Sequence, residues 1–389
     1  MIFVFGCDGY IGNALTQRLL AEGREVIGFD NFWRREWIEG MGSMSATPLL
    51  DMDEKVTLFN ELYKGTFSFE ELDIECEPER LRNMFEDFKP DIVVNLAHNP
   101  SGPYSMKSRK NADMVLSNNY LGTNNLLWMI KEVAPECHYI TIGTTGEYDH
   151  YSNIDIEEGY IEIEHKGRKS KEMIYPRRPG SIYHCSKTAS TYLIDYLTRA
   201  WNLKCTDVQQ SIVFGIYTDE INKYKVYSRL DSDEAGGTVI NRFVLQAVLG
   251  IPLTIYGEGN HQRGFLSLND SVQALMIAVN NSAEYGHVQV WNQLSEWHSM
   301  NDVADMVGKV AKTGFGIDVQ MENIETPRVE YTGEHYYNYV TDKLKGFDYK
   351  PTRSIEEEID YMFRVLLPMK DELFPLEAVV EPKIIFNKR

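Results

Sequence analysis

The residues best suited to chemistry stand in the stretch SIYHCSK (181–187), where Tyr183 precedes Lys187 by four positions. On a helix this spacing places both side chains on one face. A free phenol has a pKa of about 10, so a tyrosine base at neutral pH needs roughly 4 kcal/mol of stabilisation from a cation and a hydroxyl donor. Lys187 offers the cation, and Thr144 offers the hydroxyl after the apolar run HYITIG (138–143). The pattern predicts a tyrosine base, although Tyr-x-x-x-Lys also occurs often by chance.

A second pattern lies at the N-terminus, where the apolar run IFVF (2–5) is followed by GCDGYIG (6–12). Glycines at this spacing allow a tight turn and let the backbone approach a pyrophosphate at the positive end of the next helix. Asp30 ends the next apolar run, where its carboxylate can accept hydrogen bonds from both hydroxyls of an adenosine ribose. This context predicts a dinucleotide site. The positively charged nicotinamide ring of the bound dinucleotide would also lower the pKa of the tyrosine.

A carboxylate after the second strand also sets the expected cofactor. It repels a 2′-phosphate, so we predict NAD rather than NADP, although Arg34 and Arg35 would partly offset the repulsion. Residues 73–74 fit a strand end near the adenine, and Asn119 fits a helix amide at the same site, but each alone would equally suit a turn or a cap. The expected cofactor-binding residues are Gly6, Asp8, Gly9, Tyr10, Ile11, Gly12, Asp30, Asn31, Arg34, Arg35, Asp73, Ile74, Asn119, Thr144, Tyr183 and Lys187.

Short apolar runs alternate with helical patterns over the first half of the chain. Strands separated by helix-length segments are typical of a parallel, doubly wound α/β sheet. We therefore predict a Rossmann-like domain in residues 1–215, rejoined by about 264–294, and a smaller substrate-binding lobe over most of 216–389. Residues 32–70 are expected to form a ligand-covering insertion, and 151–180 an ordered arm over the site.

Composition narrows the classes of partner. The 389 residues carry a formal charge of −19, which repels phosphate backbones and anionic membranes and so argues against nucleic acid and membrane partners. The five cysteines are widely spaced and form no CxxC pair, so we expect a reduced compartment and no metal site. Without a basic leader or a run of 18 apolar residues, we expect a cytoplasmic protein.

Together the motifs resemble the extended short-chain dehydrogenase/reductase superfamily, the group of sugar-nucleotide epimerases and dehydratases. The general pattern covers almost the whole chain, down to the late segment LTIYGEGNHQRGF (253–265). Within this superfamily the chain is similar to the UDP-sulfoquinovose synthases. The stretches that carry this likeness are GPYSM (102–106), GEY with NIDIEEGYI (146–161), YHCSK (183–187), TDE (218–220), PRVE (327–330) and EHYYN (334–338).

The resemblance implies an NAD-dependent enzyme that makes UDP-sulfoquinovose from UDP-glucose and sulfite, and it places the activity among the hydrolases. Tyr183 would take the proton of the C4 hydroxyl while hydride passes to NAD, and Thr144 would hydrogen-bond the same oxygen. The C6 hydroxyl would then be eliminated, sulfite would add at C6, and hydride would return to C4. The catalytic residues expected on this basis are Thr144, Tyr183, Lys187, Glu147 and His184.

Two departures from the superfamily pattern distinguish this chain. The related dehydratases carry an Asp-Glu pair after the catalytic threonine, whereas this chain has Thr-Gly (145–146). Glu147 and His184 are the nearest titratable candidates for the missing acid and base. A superfamily arginine before the PYSM segment is replaced by Pro100, with His98 as a candidate replacement contact.

The second lobe is expected to hold the UDP end of the substrate. Arginines suit a diphosphate because a planar guanidinium binds two phosphate oxygens at once. Superfamily members commonly pair through two helices, so we expect a homodimer or homotetramer. The substrate-binding residues implied by the resemblance are Thr144, Thr145, Gln209, Gln210, Thr238, Asn241, Arg242, Thr254, Tyr256, Gln262, Arg263 and Arg328.

Two other functions fit parts of the sequence. A UDP-hexose 4-epimerase would use the same tyrosine, lysine and NAD without elimination, which agrees with the missing Asp-Glu pair, but the NIDIEEGYI segment argues against it. A non-catalytic NAD-binding regulator would keep the fold without turnover. The intact Thr144, Tyr183 and Lys187 set argues against that reading.

Overall fold

A computed structural model describes residues 1–151, 153–233, 235–326 and 338–381. The strands are β1 (Ile2–Phe5), β2 (Glu25–Asp30), β3 (Thr66–Glu71), β4 (Ile92–Asn95), β5 (His138–Thr144), β6 (Tyr160–Ile161), β7 (Glu164–His165), β8 (Arg168–Lys169), β9 (Met173–Ile174), β10 (Lys204–Gln210), β11 (Ile212–Phe214), β12 (Leu253–Tyr256), β13 (Gln262–Ser267), β14 (Val288–Gln293), β15 (Glu296–Ser299) and β16 (Met321–Ile324). The helices are α1 (Tyr10–Ala21), α2 (Trp33–Gly40), α3 (Met52–Leu62), α4 (Pro78–Phe88), α5 (Gly102–Lys107), α6 (Arg109–Leu116), α7 (Gly122–Val133), α8 (Ile182–Trp201), α9 (Asp219–Tyr224), α10 (Val239–Leu249), α11 (Leu268–Asn280), α12 (Met300–Phe315), α13 (Asp342–Lys345), α14 (Ile355–Leu366) and α15 (Lys370–Leu373).

The largest sheet has seven parallel strands in the order β3-β2-β1-β4-β5-β10-β14. The four residues of β1 are all buried, as expected for a strand with helices on both faces. The outward progression 1-2-3 on one side and 4-5-10-14 on the other is the doubly wound pattern, with its switch point between β1 and β4. The predicted fold class is confirmed.

Two parts of the sequence fold differently from the prediction. The stretch 32–70, expected to be an insertion, includes α2, α3 and most of β3, and β3 forms the edge strand of the large sheet. The residues of β3 are largely exposed and do not form a continuous apolar run, so the sequence pattern did not predict this strand. The run CTDVQQSIVFG (205–215), which the alternation of strands and helices predicts to be a single strand, divides at Ser211 into β10 and β11, which belong to different sheets.

The second half of the chain contributes to both parts of the molecule. Strand β14 returns to the edge of the large sheet, and helix α11 packs against α1. A separate apolar cluster is built mainly from α10, α12 and α14. The division into two lobes near residue 215 stays a prediction. None of the helices in the described parts of the chain has the length and apolar character needed to span a bilayer.

Candidate active site

A cavity of about 540 Å³ lies at the carboxyl ends of β1, β4 and β5. In a doubly wound sheet, ligands bind at this edge beside the switch point. The structure brings most of the predicted site residues to its wall: Gly6, Gly9, Tyr10, Ile11, Gly12, Asp30, Asn31, Arg34, Ile74, Thr144, Thr145, Tyr183, His184, Lys187, Gln210, Thr238, Asn241, Arg242, Tyr256 and Arg263.

The first wall of the cavity is the glycine turn between β1 and α1. Gly6 has a φ of +81°, and a Cβ on Gly12 would lie 1.9 Å from the carbonyl oxygen of Gly6. Gly6 and Gly12 therefore leave no room for a side chain, and Gly9, the N-cap of α1, provides no side-chain cap. Uncapped N–H groups at a helix N-terminus suit a pyrophosphate, so the turn fits a dinucleotide.

Asp30 stands at the end of β2, beside this turn. Its carboxylate accepts hydrogen bonds from the backbone N–H groups of Asp8 and Phe32, both at 3.0 Å. Burial and the charge of Asp8 raise the pKa of Asp30 to about 6. The carboxylate is thus held in place at the cavity wall, where the sequence pattern puts a ribose.

The catalytic turn follows β5. Thr144 ends the strand, and its hydroxyl, which accepts a hydrogen bond from the backbone N–H of Gly146 at 3.3 Å, lies close enough to Tyr183 of α8 to affect the pKa of the phenol. Burial, followed by the charge of Glu147, raises the pKa of Tyr183, while the hydrogen bond with Thr144 lowers it. Without ligands, the phenol is therefore protonated at neutral pH.

Lys187 lies one helical turn after the tyrosine and is buried. Its Nζ donates to the carbonyl of Ile142 at 2.5 Å and meets Nδ1 of His98 at 3.0 Å. Burial lowers the pKa of Lys187 to about 8, and the negative charges of Glu147 and Asp207 oppose that effect. Of the groups that the sequence predicted to lower the pKa of Tyr183, Thr144 does so in the structure, and the contribution of Lys187 stays a prediction.

His184 follows the tyrosine on α8 and turns toward the catalytic turn. A Cβ on Gly146 would lie 2.4 Å from its Nε2 atom, so the imidazole occupies the space that a side chain at position 146 needs. Its Nδ1 atom is 2.9 Å from Oγ of Ser181, the residue that caps α8. The histidine ring therefore lies where a side chain at position 146 would lie, the second of the two positions at which this chain departs from the dehydratase pattern.

The sequence model of the NAD dependent epimerase/dehydratase family matches residues 2–292, about three quarters of the chain. The chain belongs to this family. It is therefore an enzyme of the NAD-dependent type, as the glycine turn and Asp30 predicted.

Three comparisons show which proteins of known name this chain is similar to. The chloroplastic UDP-sulfoquinovose synthase of Spinacia oleracea is 37% identical over 373 residues, which cover 96% of this chain and 76% of that protein. The UDP-sulfoquinovose synthase of Sulfolobus acidocaldarius is 36% identical over 388 residues, which cover 100% of this chain and 98% of that protein. Among solved structures, the UDP-glucuronic acid 4-epimerase of Bacillus cereus, in complex with UDP-glucuronic acid and NAD, has a TM-score of 0.69 at 21% identity, over 95% of this chain and 99% of that one. The resemblance to the UDP-sulfoquinovose synthases is confirmed, whereas the hydrolase classification finds no support.

Glu147, a predicted acid or base of this epimerase/dehydratase, is buried outside the cavity wall. Its carboxylate accepts hydrogen bonds from the backbone N–H of Thr144 and the hydroxyl of Thr191, and it pairs with Arg177 at 3.4 Å. These contacts turn the carboxylate away from the sugar side of the turn. Glu147 holds Thr144 in position instead.

Several other predicted binding residues also lie behind the wall, because other protein groups bind their side chains. Asp8 pairs with Arg35 at 2.6 Å and with Lys55 at 2.7 Å, so neither Asp8 nor Arg35 lines the cavity. Asn119, on a π-helical turn between α6 and α7, binds the backbone of Asn99. Four further predicted residues also lie outside the wall. Asp73 accepts hydrogen bonds from the N–H groups of residues 75 and 76, and Gln209 donates to Asp207. Thr254 accepts a hydrogen bond from Gln246, and Gln262 is exposed. Arg328 lies outside the described residues.

Sequence reasoning missed a charged group at the cofactor end of the cavity. Asp231 lies between Arg34 and Arg229, at 2.8 and 2.7 Å, and Arg34 also lies 3.9 Å from the ring of Trp37. Burial alone would raise the pKa of Asp231, but the charges of the two arginines lower it overall. The segment SRLDSD resembles an exposed loop in sequence, so only the tertiary fold reveals this cluster.

Proposed function

We propose that the protein is a UDP-sulfoquinovose synthase, which converts UDP-glucose and sulfite to UDP-6-sulfo-6-deoxyglucose and water. The observation that carries this proposal is the position of His184 against Gly146, in the same cavity wall as Thr144 and Tyr183. It supplies a titratable ring where an elimination needs one. The likeness over nearly the whole chain to two synthases supports the same reaction.

The reaction begins at C4 of the glucose. The glycine turn after β1 and Asp30 would hold NAD, which would supply the redox chemistry by taking a hydride from C4 and returning it in the last step. Tyr183 takes the proton of the C4 hydroxyl at the start and gives a proton back at the end. Thr144 holds the same oxygen through the hydroxyl that also contacts the phenol. Because burial raises the pKa of Tyr183, its proton transfer depends on positive charge that arrives with the ligands.

The elimination and addition then take place at C5 and C6. The 4-ketone acidifies the C5 proton, which His184 removes and passes to the C6 hydroxyl, so that water leaves and a C5–C6 double bond forms. The sulfur lone pair of bisulfite adds to C6, and its proton passes through His184 to C5. We no longer assign Glu147 to these transfers, because it lies outside the cavity wall.

The UDP end is assigned to the part of the cavity around α10. Within the described residues, the Thr238 hydroxyl and Nε of Arg242 are buried without a hydrogen-bond partner. The other end of the Arg242 guanidinium is anchored to the hydroxyl of Tyr256 at 3.0 Å. Buried polar atoms without partners are rare in folded proteins, and a diphosphate would satisfy both.

We also propose that the protein forms a homodimer or homotetramer. The exposed faces of α7 and α8 carry large side chains, among them Tyr192, Tyr196 and Trp128, which are 49%, 60% and 38% exposed. A second copy would cover them. Sedimentation velocity at micromolar concentration tests the assignment, and a monomer would contradict it.

The proposed reaction is tested in deuterated water with UDP-glucose and NAD, with and without sulfite. The expected product with sulfite carries a sulfonate at C6 and deuterium at C5, as read by mass spectrometry and NMR. Tyr183→Phe should bind UDP-glucose within a few-fold of wild type and lose turnover by more than tenfold, because a phenyl ring keeps the shape without the proton. UDP-galactose without deuterium at C5 would transfer the assignment to a 4-epimerase.

A further inference from the structure

His98 follows β4 and lines the cavity, where its side chain is partly exposed. The sequence suggested it only as a substitute for a missing anion contact. Its contacts point elsewhere, because the Nδ1 atom is 3.0 Å from Nζ of Lys187 and the Nε2 atom is 3.3 Å from Oγ1 of Thr123. Protein groups therefore contact both ring nitrogens of His98, and no anion is needed to account for them.

The hydrogen bonds around His98 define its tautomer. The Thr123 hydroxyl donates to the carbonyl of Asn119 at 2.8 Å, so its oxygen is left to accept a hydrogen bond from the imidazole. The side-chain nitrogen of Asn95 also lies 3.3 Å from Nε2, but it donates to the hydroxyl of Tyr139 at 2.9 Å. The Lys187 ammonium decides between the two tautomers, because it can only donate and so needs an unprotonated Nδ1. The proton is therefore on Nε2, which donates to Thr123. Nδ1 is then a lone-pair acceptor, which matches an ammonium that can only donate.

This arrangement gives Lys187 two acceptors in the protein, the Ile142 carbonyl and the His98 ring. An ammonium has three N–H bonds, so one is left for the cavity side. We propose that His98 is a positioning residue, whose neutral imidazole holds the Lys187 ammonium through Nδ1 and thereby directs its remaining N–H bond into the catalytic cavity. The consequence for turnover rests on the proposed function.

Other groups around Lys187 act in the same direction. Glu147 after β5 and Asp207 on β10 stabilise the ammonium by charge, while Tyr183 is the titratable neighbour on the same helix face. Burial and the charge of Lys187 keep the pKa of His98 well below its usual range, so the ring stays neutral. Loss of the Nδ1 acceptor should therefore destabilise the charged lysine, lower its pKa and move the alkaline limb of the rate profile to lower pH.

Three variants separate a role through Nδ1 from a role through Nε2. The amide of His98→Asn reaches about as far as Nδ1, the amide of His98→Gln reaches about as far as Nε2, and His98→Leu has neither acceptor. We expect His98→Asn to keep kcat within about threefold of wild type. His98→Gln and His98→Leu should lose roughly tenfold or more, the effect of removing a hydrogen bond to a charged group.

Two readouts test the variants. The first is the pH dependence of reduction of bound NAD by UDP-glucose, followed by absorbance without sulfite. The second needs no activity: NMR of protein labelled with 13C at lysine Cε follows the titration of Lys187, whose signal is identified by its absence in Lys187→Met. We expect a lower pKa of Lys187 in His98→Leu and His98→Gln than in His98→Asn and wild type.

The outcomes distinguish the two proposals. A wild-type protein that fails to reduce NAD with UDP-glucose contradicts the proposed function, and the lysine titrations then decide the role of His98 alone. An unchanged Lys187 titration in His98→Leu overturns the inference. The inference is also overturned if His98→Gln keeps activity and His98→Asn does not. That result would show that His98 acts through the contact of its Nε2 atom with Thr123.

Discussion

The two turns that follow β1 and β5 both contain glycines, but for different reasons. In the β1 turn, the space denied to a side chain is filled by backbone, since a Cβ on Gly12 would lie 1.9 Å from the Gly6 carbonyl oxygen. In the β5 turn, it is filled by another side chain, since a Cβ on Gly146 would lie 2.4 Å from Nε2 of His184. Backbone cannot move aside without rebuilding the turn, whereas an imidazole can rotate.

This difference separates what the fold requires from what the reaction requires. The β1 turn serves any dinucleotide-binding protein, so its glycines recur at a recognisable spacing. In the β5 turn, the space beside Gly146 is filled by His184, which is 38 positions away in sequence and which we propose acts in the elimination. A substitution in the first turn should therefore damage folding and cofactor binding, and one in the second should damage a single chemical step.

Gly12→Ala should have the largest effect. With backbone as the obstacle, we expect a loss of at least about 3 kcal/mol in the free energy of unfolding. NAD affinity should also fall by more than tenfold. Urea unfolding and calorimetric titration measure the two quantities. Gly40→Ala is the matched control, because nothing lies within 4 Å of a Cβ added at that position. If Gly12→Ala lowered the unfolding free energy no more than Gly40→Ala does, the proposed difference between the two turns would be wrong.

Asp8→Asn tests the charged support beneath the same turn. The amide leaves Lys55, which is 1% exposed, and Arg35 without their carboxylate, so we expect a loss of about 3 kcal/mol. Burial alone would raise the pKa of Asp8, but the hydrogen bond from Arg35 and the charge of Lys55 lower it overall. A lowered pKa in the folded state stabilises the protein above the unfolded pKa, near 4, and this contribution is lost as pH falls through the folded value.

The measurement for Asp8→Asn is the free energy of unfolding between pH 3 and pH 7. The difference from wild type should be largest near neutral pH and should shrink in acid. The exposed Glu36 lies on the neighbouring helix, so Glu36→Gln serves as the control. A difference that does not vary with pH would contradict the pairing.

The contrast between the turns also explains which features the sequence could predict. The apolar run that Asp30 ends forms β2, and the segment with Tyr183 and Lys187 lies on helix α8, because buried runs and capped amphipathic segments are local signals. The roles of Glu147 and Asp231 depended on the residues that tertiary folding brings to them. Sequence proximity to Thr144 suggested that Glu147 faces the sugar, but Arg177 and Thr191 bind it behind the turn. Outside a regular helix or strand, distance along the chain does not determine which way a side chain points.

Gly146→Ala should affect only the chemistry. Position 146 does not require a positive φ, so alanine is compatible with its backbone, and His184 can rotate away at little cost in stability. We expect the unfolding free energy to stay within about 1 kcal/mol and the exchange of the C5 proton to fall by roughly a hundredfold. Reduction of NAD by UDP-glucose should persist.

The double variant Gly146→Ala/His184→Ala provides the control for that result. If the methyl group acts only by displacing the imidazole, the double variant should be no slower than His184→Ala alone. Additive losses would show that the methyl group obstructs the sugar itself. Undiminished C5 exchange in Gly146→Ala would remove His184 from the proposed chemistry.

Asp30→Ala should have the smallest effect, because it touches the first turn without altering its backbone. The carboxylate that repels a 2′-phosphate is lost, so the preference for NAD over NADP should narrow by about tenfold. It should not reverse, because Arg35 remains paired with Asp8 and Arg34 with Asp231, so a carboxylate already offsets the charge of each guanidinium. In wild type, the preference should also narrow as pH falls through about 6, where the raised pKa of Asp30 allows it to become neutral. Dissociation constants for both cofactors between pH 5 and pH 8 measure the effect, and a variant that prefers NADP would show that the two arginines exchange partners.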